Sequence, residues 1–275
     1  MRRVLLGVAL SAAGISSLAV LAQEVKPASF EVTLIKAAKP DERGGRGWHS
    51  ARNITNVENY PLMDLILRAY DLKSPMQILN VPEWAKKDHY DITAKSSEQE
   101  FERLAKLKAE ESGDEYRVMV QSMLAERFGL LVEKSTQRMP RFTIKRASDG
   151  VIEQGLKPTP VGPDGRPPGG RNVSSNGSST LVTMEVSGAS MEDIAKILSG
   201  RAEVGHRVVI DTTGVPGFFS FRLQFAPDNG MGISPDATVP GLLDVVRQEL
   251  GLKLVKDEGD VPVVIVKAAK KPELD

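Results

Sequence analysis

Three aspartates stand where carboxylate chemistry could be built. Asp64 and Asp193 occupy corresponding places in two similar segments of the chain, and Asp91 corresponds to Ser220 in the same comparison. Two carboxylates that converge within several ångströms can act as acid, base or nucleophile in hydrolysis or group transfer. Their repeated placement also indicates a shared structural role, such as favourable electrostatics at the start of a helix.

The three histidines give little support for a metal or catalytic centre. The chain has no cysteine, and none of His49, His89 and His206 has a second histidine at helical spacing. A zinc site would need several such ligands. His89 also corresponds to an apolar residue, Phe218, in the second segment. We therefore predict no catalytic, cofactor-binding or metal-binding residue, and no cofactor.

Two further motifs fall short of a catalytic or phosphate-binding signature. Ser190 lacks the second glycine of the G-x-S-x-G turn of serine hydrolases and is better explained as a helix N-cap, with Asp193 in the first turn. The loop from Gly44 to Gly47 could bind an anion through its backbone N–H groups, but no Lys-Ser/Thr pair follows it. We expect this segment to be a flexible loop.

Aromatic residues near loops are the stronger candidates for binding. Trp48 lies in the glycine-rich loop, Trp84 follows Val-Pro-Glu, and Phe218 follows Pro-Gly. Large aromatic side chains often anchor a partner at an interface, so these three are predicted as possible partner-binding residues. The alternative, which applies to Trp84 in particular, is that the ring fills the core at the mouth of a strand.

The elements that must position these residues occur in two similar copies. Residues 57–65 align with residues 186–194, and residues 128–130 align with residues 250–252, in each case without a gap. Such self-similarity is typical of one architectural unit used twice. Each copy has the order strand, helix, strand, strand, helix, strand, strand. This order predicts an internally duplicated α+β fold, with helices packed on an antiparallel or mixed sheet.

The repeat also predicts the domain boundaries. The first copy spans residues 23–147, the second spans 180–270, and a short tail covers 271–275. Residues 148–179 are rich in Pro, Gly and Ser and bury too little apolar surface to offset their ordering entropy, so we predict a flexible linker. The copies could be tethered domains or could share a sheet around a pseudo-twofold axis. We favour a close-packed pair, because each half alone would expose its sheet edges.

Local patterns add finer predictions. Residues 39–52 are expected to form a loop, Ser112-Gly113-Asp114 to separate two helices, and Gly129 and Gly251 to end helices as C-caps. Alternating apolar residues predict strands at His89–Lys95 and Phe219–Phe225. Pairs of short strands joined by a polar turn are predicted at 130–134 and 141–146, and again at 252–256 and 261–267.

The N-terminus predicts an exported protein. Met1-Arg2-Arg3 precedes an uncharged run from Val4 to Ala22, so residues 1–22 are predicted to be a signal peptide and Gln23 the first mature residue. A retained membrane anchor is the alternative, since about 20 apolar residues could span a bilayer. We expect membrane contact only through this segment before cleavage, and a periplasmic or secreted mature protein.

Composition narrows the classes of partner. Loss of Arg2 and Arg3 from 36 basic and 36 acidic residues leaves the mature chain near −2. This balance predicts no nucleic-acid binding, which normally requires a basic surface. Without cysteine the chain is not expected to be a lipoprotein, and it must be held together by core burial without disulfides.

Four ordered motifs resemble a known family. They are Phe30–Lys36, Val81–Trp84 with His89–Ile92, Met123–Phe128, and Asp211–Gly217 with Phe221–Asp228. Together they are similar to a soil-associated bacterial family of exported proteins, a domain of unknown function with many paralogues. The resemblance implies a signal peptide, fusion of some relatives to membrane metallopeptidases of the antibiotic-sensor type, and no catalytic residues. The strand-helix-strand units also look like the N-terminal modules of secretins and TonB-dependent receptors, which is an analogy of fold.

These observations lead to three functional hypotheses. The first is a non-enzymatic periplasmic binding or sensor-accessory module, whose partner is an unknown envelope protein or glycan. Its partner would bind at a sheet edge or in the groove between the copies. The second is a cell-envelope hydrolase or transferase that uses Asp64, Asp91 or Asp193. The third is a structural scaffold.

Overall fold

A computed structural model describes residues 28–38, 45–147, 155–228, 230 and 232–275. The predicted signal peptide, Gly44 and the first part of the predicted linker lie outside the described residues. Within the described ranges, no helix is both long enough and apolar enough to cross a membrane.

The described residues form an α+β fold, which confirms the predicted class. Helices account for 27% and strands for 39%, and the strands form three sheets of four. The helices are α1 (Leu62–Ala69), α2 (Trp84–Lys87), α3 (Glu98–Ala105), α4 (Ala109–Phe128), α5 (Met191–Ser199) and α6 (Leu242–Leu250). The strands are β1 (Val32–Ala37), β2 (Gly47–Ala51), β3 (Ile54–Pro61), β4 (Ile78–Leu79), β5 (His89–Lys95), β6 (Leu131–Arg146), β7 (Lys157–Pro158), β8 (Asn172–Gly177), β9 (Val182–Ala189), β10 (Val209–Asp211), β11 (Phe219–Phe225) and β12 (Leu252–Ala268).

The first and third sheets have the same arrangement. The first sheet has the order β1-β5-β3-β2 and the third has the order β7-β11-β9-β8, and all neighbours in both sheets are antiparallel. Each sheet has a register shift at the same place, beside Asn59 (φ 60°) in the first and Gly188 (φ 63°) in the third. A bulge of this kind bends the strand and increases its twist. These likenesses support a repeated unit, although the duplication itself stays a prediction.

The second sheet joins the two halves of the chain. Its order is β10-β6-β12-β4, and β6 and β12 pair antiparallel along nearly their whole length. β10 from the second half lies parallel to β6, with Val209 opposite Phe142. β4 from the first half lies parallel to β12, with Ile78 opposite Val264. The two halves therefore share a sheet, as in the close-packed arrangement that we favoured over tethered domains.

The central strands are continuous, so the prediction of two short strands joined by a turn is wrong in both halves. β6 has 16 residues and β12 has 17. Their polar middle parts are linked across the strand pair, where Arg141 donates to Asp257 (3.0 Å) and Arg138 donates to Glu258 (3.4 Å). Each strand satisfies the backbone groups of the other, so exposed polar residues are tolerated where composition indicates a turn.

Long-range pairing explains two other differences from the sequence predictions. Residues 39–52, predicted to be a loop, contain β2, which pairs with β3. Residues 148–179, predicted to be a linker, contain β7 and β8, which pair with β11 and β9. Part of the predicted linker thus belongs to the third sheet. Local composition does not reveal these strands because their partners supply the hydrogen bonds.

The predicted helix break at Ser112-Gly113-Asp114 is wrong, because Gly113 lies inside α4. The chain leaves the first helix at Ala105 and begins the second at Ala109. Glycine inside a helix costs only about 1 kcal/mol relative to alanine, and the C-terminal half of α4 is anchored by buried side chains such as Met123 and Leu124. The C-caps at Gly129 (φ 54°) and Gly251 (φ 63°) are confirmed.

Apolar side chains form two cores, and each core contains residues of both halves. Phe142 and Ile144 of β6 pack in the core of the second half, and Val264 and Val266 of β12 pack in the core of the first.

Polar contacts also join the halves beside the shared sheet. The Ser74 hydroxyl donates to the carbonyl of His206, and Gln77 Nε2 donates to the carbonyl of Pro262 (2.8 Å). An ion pair links Asp71 to Lys196 of α5. The predicted groove between the copies is therefore occupied, at least here, by contacts between the halves.

The C-terminal tail covers the middle of the β1 edge. The Asp275 N–H donates to the Ile35 carbonyl (2.9 Å), and the Asp275 carboxylate accepts from the Ile35 N–H (2.8 Å) and from Arg127 (2.7 Å). The hydrogen bond from Arg127, with that from Ile35, lowers the pKa of the Asp275 carboxyl. An open strand edge exposes unpaired backbone groups, so this tail acts as a partial cover for β1.

Candidate ligand-binding site

The contacts of Asp64 and Asp193 point to a structural role. Asp64 lies in the first turn of α1 and pairs with Arg46, and Asp193 lies in the first turn of α5 and pairs with Arg171. Each arginine stands directly before the edge strand of its half, β2 or β8. The pair therefore fastens that strand to the helix, and the carboxylate also faces the positive end of the helix dipole.

Asp193 in addition completes a capping box with Ser190. Its carboxylate accepts from the Ser190 N–H (3.1 Å) and hydroxyl (2.8 Å), while Ser190 Oγ accepts from the Asp193 N–H (3.1 Å). This confirms Ser190 as an N-cap. Partial burial would raise the pKa of Asp193, but the hydrogen bonds from Ser190 and the charge of Arg171 outweigh it, so this pKa lies below its usual value.

The substitution Asp193→Asn is expected to lower stability at neutral pH by about 1 kcal/mol, the usual scale of a helix cap. A carboxyl whose pKa is lowered by folding stabilises the protein above its unfolded-state pKa of about 3.9, and this contribution is lost as the pH falls through the folded-state value. Urea unfolding at pH 7 and pH 3 should show a difference from the wild type at pH 7 that shrinks at pH 3. The exposed Asp236→Asn is the control, and a difference that is constant between the two pH values would contradict the assignment.

Asp91 supports the bulge of the first sheet. Its Oδ1 accepts from the N–H of Asn59 (2.9 Å), and Ser220 Oγ accepts from the N–H of Gly188 (3.2 Å) at the matching place in the third sheet. Both side chains thus satisfy the backbone N–H group of the residue in the left-handed conformation. The three aspartates are engaged in separate structural contacts, and none of them lines either cavity described below.

The histidines lie in three different settings. His89 Nδ1 is 2.6 Å from Asn59 Oδ1 and 3.1 Å from Asn59 O, beside the bulge. His49 lies on the edge strand β2, and His206 lies in a turn with φ 53°. The described part of the chain contains no cluster of three or more His, Asp and Glu side chains placed to hold a metal ion.

Trp48, one of the three predicted binding residues, lines a cavity of about 460 Å³. The cavity lies between the strands β2 and β3 on one side and the helices α3 and α4 on the other. Its apolar wall is formed by Phe30, Trp48, Phe101, Leu104, Tyr116 and Met119. Cavities of this size with mainly apolar walls and a few polar groups are typical of small-molecule sites.

A chain of hydrogen bonds fixes the aromatic wall of this Trp48 cavity. Trp48 Nε1 donates to the Tyr116 hydroxyl (3.2 Å), which in turn donates to Thr55 Oγ1 (3.0 Å). Thr55 Oγ1 also lies 3.0 Å from Ser50 Oγ, and Thr55 is buried. The Trp48 ring meets Tyr60 edge to face at 5.6 Å. Rings held in this way keep one geometry, so they present a preformed surface.

Two arginines supply the charge of the cavity lining. The Arg68 guanidinium lies over the Trp48 ring at 4.3 Å from its centroid, a cation–π geometry. Arg52 Nη2 donates to Glu98 Oε1 (3.0 Å), in a pair that is largely exposed. No carboxylate is among the described residues that line the cavity. The lining is therefore cationic, although the chain as a whole is neutral.

The corresponding place in the second half is built differently. Trp48 lies opposite Val57, and its counterpart Val173 lies opposite Val186. Arg68 corresponds to Ile197, which packs against the second core. The described residues between β11 and α6 form no helix that would match α3. The aromatic ring, the guanidinium and the helical cover are thus features of the first half alone.

A larger cavity, of about 880 Å³, lies on the third sheet. Its lining carries charges of both signs, Lys157 and Arg222 with Glu185 and Glu249. Arg222 and Glu185 already pair at 3.4 Å. Opposite charges that compensate each other give little preference for one ligand, so this cavity is the weaker candidate.

Trp84 and Phe218, the other predicted binding residues, lie away from the Trp48 cavity. Trp84 begins α2 and packs partly buried against the first core, in line with the alternative reading of this ring as a core residue. The Phe218 carbonyl accepts from the Thr159 N–H (2.8 Å) next to β7. The structure does not bring the three aromatic residues together into one site.

Comparison with known proteins identifies the family of the chain. The model of a family described as a protein of unknown function, DUF3738, matches residues 63–269. The chain belongs to this family. No match was found among the curated proteins or among the solved structures.

The DUF3738 region contains most of the fold but only part of the cavity. It includes Arg68, the helices α3 and α4, and the whole shared sheet, whereas Trp48 on β2 lies before its first residue. Of the motifs that carried the resemblance, Phe30–Lys36 lies outside the match and the other three lie inside. The family thus supports the resemblance to a domain of unknown function.

Sequence reasoning identified Trp48 but missed its neighbours. Tyr116 and Arg68 were not predicted as site residues, since helical spacing indicates nothing about the strand that a helix meets. One signal was present in the repeat, because Arg68 replaces an apolar residue, Ile197, at a matched position. Positions at which the two halves differ in charge were therefore the useful guide.

Proposed function

We propose that this DUF3738 protein is a non-enzymatic binding module, and that its ligand site is the Trp48 cavity. The observation that carries the proposal is the combination of a cationic lining with an aromatic wall under a helical cover, present in the first half and replaced in the second. A cavity built on one of two similar sheets is consistent with a binding site grafted on a shared fold. The contacts of Asp64, Asp91 and Asp193 give no support to the carboxylate enzyme.

We further propose that the protein is exported and binds its ligand in the periplasm or outside the cell. The support is the pattern of residues 1–22, with two arginines before an uncharged run. Mass spectrometry of the protein purified from the periplasm of a host should give a mature chain that begins at Gln23. Recovery of uncleaved protein with membranes would favour the retained anchor. We also propose that the family is associated with soil bacteria and has many paralogues, and that some relatives are fused to membrane metallopeptidases.

The chain offers a direct optical test of the cavity. It contains two tryptophans, so the Trp84→Phe variant leaves Trp48 as the single reporter. A fragment library that includes anions, cations and neutral compounds is screened by Trp48 fluorescence and by thermal shift. We expect hits that change Trp48 emission and raise the melting temperature together, because a ligand that binds only the folded state stabilises it.

A variant that blocks the cavity and a matched control variant make the test specific. Ala105 lines the cavity at the end of α3, so Ala105→Phe should fill its mouth and abolish the hits. Ala125→Phe places the same ring on the exposed side of α4, away from the cavity, and should leave them unchanged. If Ala105→Phe weakens the binding of no fragment, the cavity is not a ligand site, and the scaffold hypothesis becomes the better one.

A further inference from the structure

We infer that the Trp48 cavity selects small organic anions that carry a flat apolar group, such as an aryl carboxylate. This inference rests on the proposed function and names the ligand class of the same site. It is argued from the charges of the lining, from the way Arg68 is held, and from the internal hydrogen bonds of the aromatic wall.

The charge of the lining favours an anion. Arg52 and Arg68 both face the cavity, and its described lining contains no acidic side chain. The side chains of Arg52 and Glu98, which pair with each other, are 76% and 53% exposed. Exposed ion pairs contribute little, typically less than about 1 kcal/mol, so a ligand carboxylate could replace Glu98 as the partner of Arg52 at small cost.

Arg68 supplies a second guanidinium to the lining of the cavity. Its guanidinium carbon lies over the Trp48 ring, at 4.3 Å from the centroid. A guanidinium carries five N–H donors in a planar fork, so its contact with the ring leaves donors that can bond a ligand. Among the described residues, no carboxylate forms an ion pair with Arg68. A planar fork of this kind matches a carboxylate with two parallel hydrogen bonds.

The aromatic wall favours a flat apolar group on the same ligand. The N–H of Trp48 is already used by Tyr116, and the hydroxyl of Tyr116 is used by Thr55. These polar atoms therefore stabilise the wall, and their hydrogen bonds are made within the protein and not to a ligand. What the wall offers is ring surface from Trp48 and Tyr116, with Phe30 meeting Tyr116 edge to face at 6.0 Å. Aromatic groups pack on such surfaces in offset or edge-to-face geometry.

Three probes of nearly equal shape and different charge test the inference. Phenylacetate is the anion, phenylacetamide the neutral analogue and 2-phenylethylamine the cation. Each is titrated into the Trp84→Phe protein while Trp48 emission is followed with excitation that these probes do not absorb. We expect phenylacetate to bind at least about tenfold more tightly than phenylacetamide, the scale of one charge-assisted hydrogen bond, and the amine to bind most weakly.

Variants and salt separate charge from shape. Arg68→Met keeps the length of the side chain and removes its charge, so it should erase most of the preference for phenylacetate while leaving phenylacetamide unaffected. Arg222→Met, on the third sheet, is the matched control and should change neither. Chloride at about 0.5 M should weaken phenylacetate binding more than amide binding, because it screens charges that are open to solvent. Circular dichroism confirms that both variants are folded.

The outcomes for the inference and for the proposed function are distinct. Equal binding of phenylacetate and phenylacetamide, or tighter binding of the amine, overturns the anion inference while leaving the cavity as a ligand site. A preference for phenylacetate that survives Arg68→Met and high salt also overturns it. Absence of phenylacetate binding overturns it as well, and the proposed function falls with it only if the fragment screen also gives no response to Ala105→Phe.

Discussion

Residues 148–275, produced without the first half, are expected to remain largely unfolded. β12 would lose β6, which pairs with it from Leu252 to Ala268, and β10 would lose its neighbour in the same sheet. Val264 and Val266 of β12, which pack in the core of the first half, would then be open to water. A unit of this size has little stability to spare, since domains are stable by only about 5–15 kcal/mol in total.

Circular dichroism and the dispersion of amide resonances measure this result. The first half, residues 28–147, should behave in the same way, because both β6 and β4 lose β12 as their partner. Co-expression of the two halves as separate chains should restore a folded complex, since the contacts of the shared sheet do not depend on the link between them. A second half that folds alone with the strand content of the whole protein would show that the shared sheet is not required.

The elements that could be predicted are those whose own sequence shows the apolar pattern or the capping residue of the structure they form. β5 and β11 alternate apolar and polar residues, and both were predicted at their observed bounds. The end of α6 was predicted from Gly251, which takes the left-handed conformation there. In these places local propensity, periodicity and capping indicate the same structure, so no distant partner is needed to decide.

Elements that depend on a distant partner were not predictable. The middle of β12 around Asp257 and Asp260 is polar and resembles a turn, and it is a strand only because β6 pairs with it. β8, whose six residues are all exposed, is a strand only because β9 pairs with it. Such strands bury few side chains of their own, so their sequences carry almost no apolar pattern.

Only one residue of the site was predicted from the sequence. Trp48 was predicted as a partner-binding residue because large aromatic side chains near loops often anchor a partner, and the structure places it on the wall of a cavity. The positions that match between halves, such as Asp64 with Asp193, make structural contacts. The positions that differ, Arg68 with Ile197 and Trp48 with Val173, are those that build the cavity in one half and remove it in the other.

The substitution Phe128→Ala is expected to lower the free energy of unfolding by about 3–5 kcal/mol. Phe128 is fully buried at the end of α4, where its ring meets Tyr90 edge to face at 5.4 Å. Its removal would leave a cavity in the first core and would loosen the start of β6. Urea unfolding measures the loss, and Leu131→Ala, at a position 61% exposed, is the control, with an expected change below about 0.5 kcal/mol.

The more informative result of Phe128→Ala concerns the second half. β6 begins three residues after Phe128 and supplies a neighbour to both β10 and β12, so the first half cannot unfold without opening the sheet that the second half uses. Native-state hydrogen exchange should therefore show protected amides of β11 losing as much protection as those of β5. A loss confined to β5, with β11 unchanged, would mean that the two halves unfold independently and that the shared sheet joins them without making them one cooperative unit.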